Sequence, residues 1–565
     1  MIRVTAFAAC TLLAPAVAAQ GTLLQHVAGD LPGDRLGWSL ATPGDLDGDG
    51  VDDVVVGVPF DPVDTVQKGS LQVRRGSDGG LLYELFGDAA LDHAGWSLAA
   101  LGDLDGDGRG DFAYGLPDSD LWTLDGGLVR VASGASGATL FDVFGTSVGE
   151  GYGSAVAGAG DVDGDGVPDV IVGAWRAASL GAATGRVEVR SGLGGGLLRA
   201  HAGGAAGDRF GFAVCGLGDV DGDGRSDYAV GADQDGVGPG YVRVYSGASG
   251  ALLRTHTGAS ALGRYGAALA GAGDVDLDGR GDLALGAPRE LGPGGLKSGA
   301  CELRSGATGA LLWRAFGDTQ NGDFGAALAG GADLDGDARA DVLVGAPLQG
   351  GSGEALVLGG LDGGVLRTLE GVLGGDRFGY AVGWLGDMDG DGLPDLAVGA
   401  PREDARGVDS GALRLYSGDG TPDPCQPQAY CTAKPNSQGC TAQVTWSGTL
   451  ALSGPDDFVV RATSVVNQKP GVMIYGEHAA SLPFLNAVLC VGPPLFRTGL
   501  IPSGGNPPPD DCSGVLSFAV THAFLAQQGW GAGTQLVAQF WYRDPLQADG
   551  TGAALSDGLA FGVCP

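Results

Sequence analysis

The chain has 565 residues, 110 of them glycine, with 44% hydrophobic residues and a formal net charge of −35. No Gly-X-Y period runs through it, which excludes collagen, and the apolar content is too high for a disordered chain. The excess of 67 acidic over 32 basic residues makes nucleic acid and anionic lipid poor partners, because the summed field repels both.

Residues 1–19 have the form of a secretory signal. Arg3 gives a positive start, Val4–Pro15 is mainly apolar, and Ala16–Ala19 supplies small residues for cleavage. No later stretch is long and apolar enough to span a bilayer. The mature chain is expected to be exported, monomeric, and secreted or held at the cell surface. An isolated strand follows, Leu23–Val27.

From there a unit recurs seven times, with starts 54 to 59 residues apart. Each begins on a glycine (Gly37, Gly95, Gly153, Gly211, Gly266, Gly325, Gly379). An acidic loop starts eight residues later, and a second glycine stands twelve residues beyond the loop's first Asp (Gly57, Gly115, Gly173, Gly231, Gly286, Gly345, Gly399). The unit reads as four strands, as in Phe210–Val214, Asp227–Gly231, Tyr241–Tyr245 and Ala251–Thr255. Four-stranded units without helical periodicity predict the blades of a propeller. The last repeat, ending at Ala412–Tyr416, is one strand short, and Leu23–Val27 matches the missing fourth strand. Pairing the two would close a seven-bladed ring over residues 20–420 and remove the open sheet edge.

The acidic loops carry Asp at relative positions 1, 3, 5 and 9. They are Asp45, Asp47, Asp49 and Asp53; Asp103, Asp105, Asp107 and Asp111; Asp161, Asp163, Asp165 and Asp169; and Asp219, Asp221, Asp223 and Asp227. The last three are Asp274, Asp276, Asp278 and Asp282; Asp333, Asp335, Asp337 and Asp341; and Asp387, Asp389, Asp391 and Asp395. Alternating carboxylates around a tight turn offer the hard oxygens that Ca2+ takes, six to eight at a time. Glycine at position 6 permits the turn, and Ala338 alone departs from it. Position 7 varies freely, as a residue contributing only its carbonyl would. An EF-hand is excluded, because position 12 lacks its Glu and a β-type run follows. The expectation is up to seven structural Ca2+ ions, one per blade.

Phe210-Gly211, Phe324-Gly325 and Phe378-Gly379, with Gly286-Ala-Pro, Gly345-Ala-Pro and Gly399-Ala-Pro, resemble the FG-GAP repeat, the propeller of integrin α-subunits and of many bacterial surface proteins. The resemblance covers about residues 22–420. It implies seven blades, calcium between the first two strands of a blade, and ligand contact on the opposite face. This chain departs from integrins in carrying the acidic loop in every repeat. Nothing of the remaining integrin α-subunit is recognised, so its heterodimers and signalling are not carried over.

Other motifs are absorbed by the repeat. Gly145–Gly149 spells G-x-S-x-G without a following helix. Arg109-Gly-Asp111 and Arg280-Gly-Asp282 place their Asp at position 9 of an acidic loop. The six histidines are dispersed and read as structural, and Cys215 reads as a buried apolar residue. Loops after the GAP segments, Pro117–Asp125 with Trp122 and Trp175–Thr184, are candidate recognition loops.

Residues 421–427 read as a linker, and 428–565 as a disulfide-bonded β-sandwich. Its strand-like runs are Gln443–Leu452, Phe458–Val466, Gly471–Tyr475, Gln535–Tyr542 and Leu559–Val563. Six cysteines (Cys425, Cys431, Cys440, Cys490, Cys512, Cys564) predict three disulfides of open connectivity. Trp446, Trp530, Trp541 and Tyr542 read as sandwich core, with sugar stacking the alternative. The whole predicts an adhesion or binding protein for an extracellular glycan or protein, without catalytic residues. The rival readings are an enzyme acting on polysaccharide or lipid with the propeller as scaffold, and a spacer of an outer layer.

Overall fold

A computed structural model describes residues 22–565 except 64–65, 180, 419–427, 431–435, 448–449, 451–455, 457, 477–478, 485–486, 492–494, 529, 531–533, 548–550 and 564–565. The expected signal segment and the linker lie outside the described residues. The chain divides into two compact units, Met1–Thr421 and Pro422–Pro565.

The first unit is a seven-bladed propeller. Seven four-stranded antiparallel sheets follow one another, each innermost strand first, as in Phe210–Gly218, Asp227–Ala232, Tyr241–Tyr245 and Leu252–Thr257. The seventh takes its outer strand from the N-terminus: Leu23–Ala28 pairs antiparallel with Ala412–Tyr416, so the ring closes as expected. The second strand of every blade is buried along its whole length, for instance Asp282–Ala287 and Asp395–Ala400. Both of its faces meet neighbouring blades, which is why these strands are continuous apolar runs and do not alternate.

The apolar residues form a core at every blade junction. Val187 and Val189 of the third blade pack with Tyr228 and Val230 of the fourth. Val54 and Val56 of the first pack with Leu413 and Leu415 of the seventh. Each such side chain contributes roughly 2 kcal/mol by leaving water. In five blades the residue before the opening glycine is an aromatic wedge in the junction: Tyr152, Phe210, Tyr265, Phe324 and Phe378 are at most 2% exposed, and Leu36 and Ala94 take the place in the first two.

The two marker glycines have one shared cause. The closing glycine of each blade lies against the opening glycine of the next. A Cβ on Gly57 would stand 2.1 Å from the Gly95 carbonyl oxygen, and one on Gly399 would stand 2.1 Å from that of Gly37. The opening glycines also sit at φ between 78° and 89°, a region costly for any L side chain. The closing seam adds an ion cluster in which Glu403 accepts from Arg414 (2.8 Å) and lies 2.9 Å from His26. Burial would raise the Glu403 carboxyl, but the His26 bond and the Arg414 charge outweigh it and hold it at about 2.

The second unit is nearly all β. A six-stranded sheet contains Pro470–Gly476, Gln535–Arg543 and Ala553–Gly562, and a three-stranded sheet contains Gln443–Ser447, Val459–Val465 and Gly514–Ala519. Val460 and Leu516 of the smaller sheet share one core with Phe540, Tyr542 and Leu559 of the larger, the arrangement of a sandwich. The short helix His522–Gln528 and the strand Gly514–Ala519 lie outside the expected strand-like runs. Cys440 and Cys512 form a disulfide. Cys425, Cys431 and Cys564 lie outside the described residues, as does the Cys490 side chain. Trp530 and Tyr542 are core residues, whereas Trp446 is exposed.

Candidate metal centres

Each acidic loop joins the end of an innermost strand to the start of the second, so all seven stand on one rim of the propeller. The loop is a chain of side-chain-to-backbone bonds. In the first blade Asp45 accepts from the N–H of Gly48 (2.6 Å) and of Gly50 (2.9 Å). Asp47 accepts from Asp49 (3.1 Å) and Asp49 from Val51 (2.9 Å). The same bonds recur in the fourth blade among Asp219, Asp221, Asp223 and their following amides. These bonds hold the carboxylates in a fixed turn while leaving lone pairs on each oxygen.

The carboxylates converge. Oxygens of Asp45, Asp47 and Asp53 lie within 4.8 Å of one another, as do those of Asp161, Asp163 and Asp169. Asp219, Asp221 and Asp227 do the same, and so do Asp274, Asp276 and Asp282; in the second loop the cluster is Asp103, Asp105 and Asp107. A set of hard oxygens without sulfur or imidazole suits a hard divalent cation.

The Asp at position 9 also has a structural task that the spacing did not reveal. Asp53, Asp111, Asp169, Asp227, Asp282, Asp341 and Asp395 are fully buried. In the fourth blade one oxygen of Asp227 accepts from Val220 N–H (2.9 Å), and the other accepts from Gly247 N–H (2.8 Å) in the outer hairpin. The carboxylate thus ties the loop to the far strands of its own blade. Burial raises all seven of these carboxyls, Asp169 and Asp341 to about 6 and Asp395 to about 7.

Position 7 is not a free position in every loop. Arg109 donates to the Asp45 carbonyl (3.1 Å) and lies 3.4 Å from its carboxylate in the preceding loop. Arg280 does the same to Asp219 (3.0 and 3.3 Å). Both Arg-Gly-Asp tripeptides are therefore consumed within the ring, since Asp111 and Asp282 are buried. Two left-handed positions also depart from the glycine pattern: Ala338 at position 6 (φ 68°) and Leu277 at position 4 (φ 63°). Glycine fills position 4 in the other six loops.

The opposite rim is built from the residues that precede the innermost strands and follow the GAP segments. Trp38 packs on Trp96 (5.0 Å), Tyr380 (4.8 Å) and Phe60 (5.3 Å) at the channel mouth. Of the candidate recognition loops, Trp122 is 70% exposed, while Trp175 is covered by the guanidinium of Arg209 at 4.5 Å. Cys215 and Cys301 are buried free thiols. Among the described residues, no helix is long and apolar enough to cross a membrane.

Three segments, residues 36–73, 324–358 and 378–416, match the FG-GAP repeat. The chain is 34% identical over 221 residues to integrin alpha pat-2 of Caenorhabditis briggsae, covering 34% of this chain and 18% of that protein. It is 34% identical over 224 residues to integrin alpha-PS2 of Drosophila melanogaster, covering 34% and 15%. Integrin alpha-V of Gallus gallus is 32% identical over 223 residues, covering 36% and 21%. The chain thus matches about a fifth or less of these relatives' length. The ring of seven sheets, the paired glycines and these matches identify the repeat domain as an integrin-α-like FG-GAP propeller.

Proposed function

We propose that the propeller is an extracellular binding or adhesion scaffold whose acidic loops hold structural Ca2+, and that ligand is met on the opposite rim. The observation that carries this reading is the contrast within one blade plan. All seven loops keep four Asp residues on a self-bonded turn, while the opposite rim changes residue from blade to blade. Clustered carboxylates repel one another until a cation neutralises them. With the millimolar-class affinity of extracellular modules, each site adds roughly 0.4–1.4 kcal/mol in millimolar calcium, about 3–10 kcal/mol over seven.

In this reading residues 1–19 direct export, 20–420 form the propeller, 421–427 link it to 428–565, and the chain acts as a monomer on a glycan or protein. Binding is favoured over catalysis because every recurrent carboxylate cluster has a role in loop architecture. The test is binding of the full chain to glycan and protein arrays, in calcium and in chelator. Calcium-dependent binding of a defined ligand is expected. Silence of both arrays would overturn recognition in favour of a spacer, and turnover of any arrayed substrate would overturn the non-enzymatic reading.

A further inference from the structure

The residue after each opening glycine lines the channel mouth, and in blade order these are Trp38, Trp96, Ser154, Phe212, Ala267, Ala326 and Tyr380. Four of the seven are large rings, whereas the fifth and sixth blades place consecutive alanines there and leave a gap. A cavity of about 490 Å³ fills it, bordered by Phe212, Arg264, Arg289, Asp323, Arg377 and Tyr380.

The gap is basic in a chain of net charge −35. Two residues before the opening glycine, every blade turns through the left-handed region, with φ between 54° and 62°. Four blades place arginine at that turn: Arg35, Arg209, Arg264 and Arg377. Arg264 is committed to the buried Asp233 (2.7 Å) and Arg289 to Asp235 (3.2 Å). Arg377 makes no ion pair among the described residues, and Asp323, the one carboxylate bordering the cavity, forms none with the three arginines, whose charges act on it from a distance. Arg377, Arg35, Arg402 and Arg264 all act on the Tyr380 hydroxyl, opposing the effect of its burial.

We propose that this cavity is a carboxylate-binding site, and that it takes an Asp or Glu side chain of a partner protein. The proposal rests on the reading of this rim as the ligand face. A guanidinium offers a planar fork that matches a carboxylate. The net charge of the chain disfavours a long polyanion, while a cavity of this size accepts one side chain with its flanks. Sugar stacking is disfavoured too, because the face of Phe212 is already covered by Arg209 at 4.4 Å and Arg264 at 5.3 Å.

The test uses the full chain in calcium against arrayed, end-capped peptides with a central Asp or Glu, each paired with its Asn or Gln counterpart. The acidic member should bind about tenfold better. Arg377→Met should abolish that preference without moving the melting temperature, and Arg130→Met, on the third strand of the second blade, should leave it intact. Equal binding of acid and amide peptides, a preference that survives Arg377→Met, or silence of every peptide would each overturn the site. Competition by oligogalacturonate at lower concentration than the acidic peptides would overturn the protein partner and assign the carboxylate to a sugar. A ligand found on the general arrays that ignores Arg377→Met would sink this site alone, whereas silence of those arrays would sink the recognition reading itself.

Discussion

The two rims of the propeller are made by the same seven blades and differ in what varies. On one rim, Asp at positions 1, 3, 5 and 9 never changes, and even the hydrogen bonds of the first loop reappear in the fourth. On the other, the residue after the opening glycine runs from tryptophan to alanine. A ring needs the same junction at every blade, so repetition marks the parts that hold it together. Inside the junction the side chains change only among apolar and aromatic types, as at Leu36, Ala94 and Phe210, whereas side chains that leave it vary more widely and can tell one ligand from others.

Four substitutions or conditions would break or sharpen that contrast. The largest effect is expected at a junction glycine. Gly286→Ala would put a Cβ 2.1 Å from the Gly325 carbonyl oxygen, a clash with backbone that cannot rotate away. A loss of about 3 kcal/mol is expected, read as a lowered melting temperature in calcium. A melt like that of the unaltered chain would show that the blades are not pressed together there.

Asp227→Asn comes next. Its amide would turn a donor toward either Val220 N–H or Gly247 N–H, and leaving that amide unpaired in a buried site costs about 2 kcal/mol. Thermal unfolding checks it, and Arg377→Met on the opposite rim should by contrast change stability by no more than about 0.5 kcal/mol.

A pH effect is shared among the loops. Carboxyls raised to about 6 at Asp169 and Asp341 and about 7 at Asp395 bind more protons folded than unfolded above their ordinary value of 3.8. Metal-free stability should therefore fall as pH rises from about 4 to about 7. Calcium favours the anion and should flatten that slope, which melting curves in chelator and in calcium across this range would show. A metal-free chain that gains stability toward pH 7 would contradict the burial of these groups.

The smallest effect is a gain. Ala338→Gly relieves a left-handed alanine (φ 68°) and should add about 0.5 kcal/mol. A loss there would mean that the loop is held by the alanine side chain.

Much of this architecture was legible because it is local and repeated. The Asp spacing is a property of one turn, and the orphan Leu23–Val27 announced a missing partner, which Ala412–Tyr416 supplies. What escaped was tertiary. Gly57 and Gly95 were visible as markers, but their contact belongs to two blades 38 positions apart in sequence. Position 9 looked like one more ligand, since its bond to a hairpin glycine such as Gly247 spans a blade. Arg109 and Arg280 looked like freely varying residues because their partners lie in the preceding loop. The C-terminal unit was read only in outline. Without a repeat to average over, the strand Gly514–Ala519 and the helix after it gave no pattern to compare.

The central claim is that the invariant rim is a set of calcium sites holding the ring together. It is tested most directly by titrating Ca2+ into the chelator-treated full chain by calorimetry, with a melting curve at each end of the titration. The account predicts several bound ions, up to seven, and a rise in melting temperature on the order of 10 °C. No heat of binding and an unchanged melt would contradict it, leaving the acidic loops as hydrogen-bonded turns and nothing more.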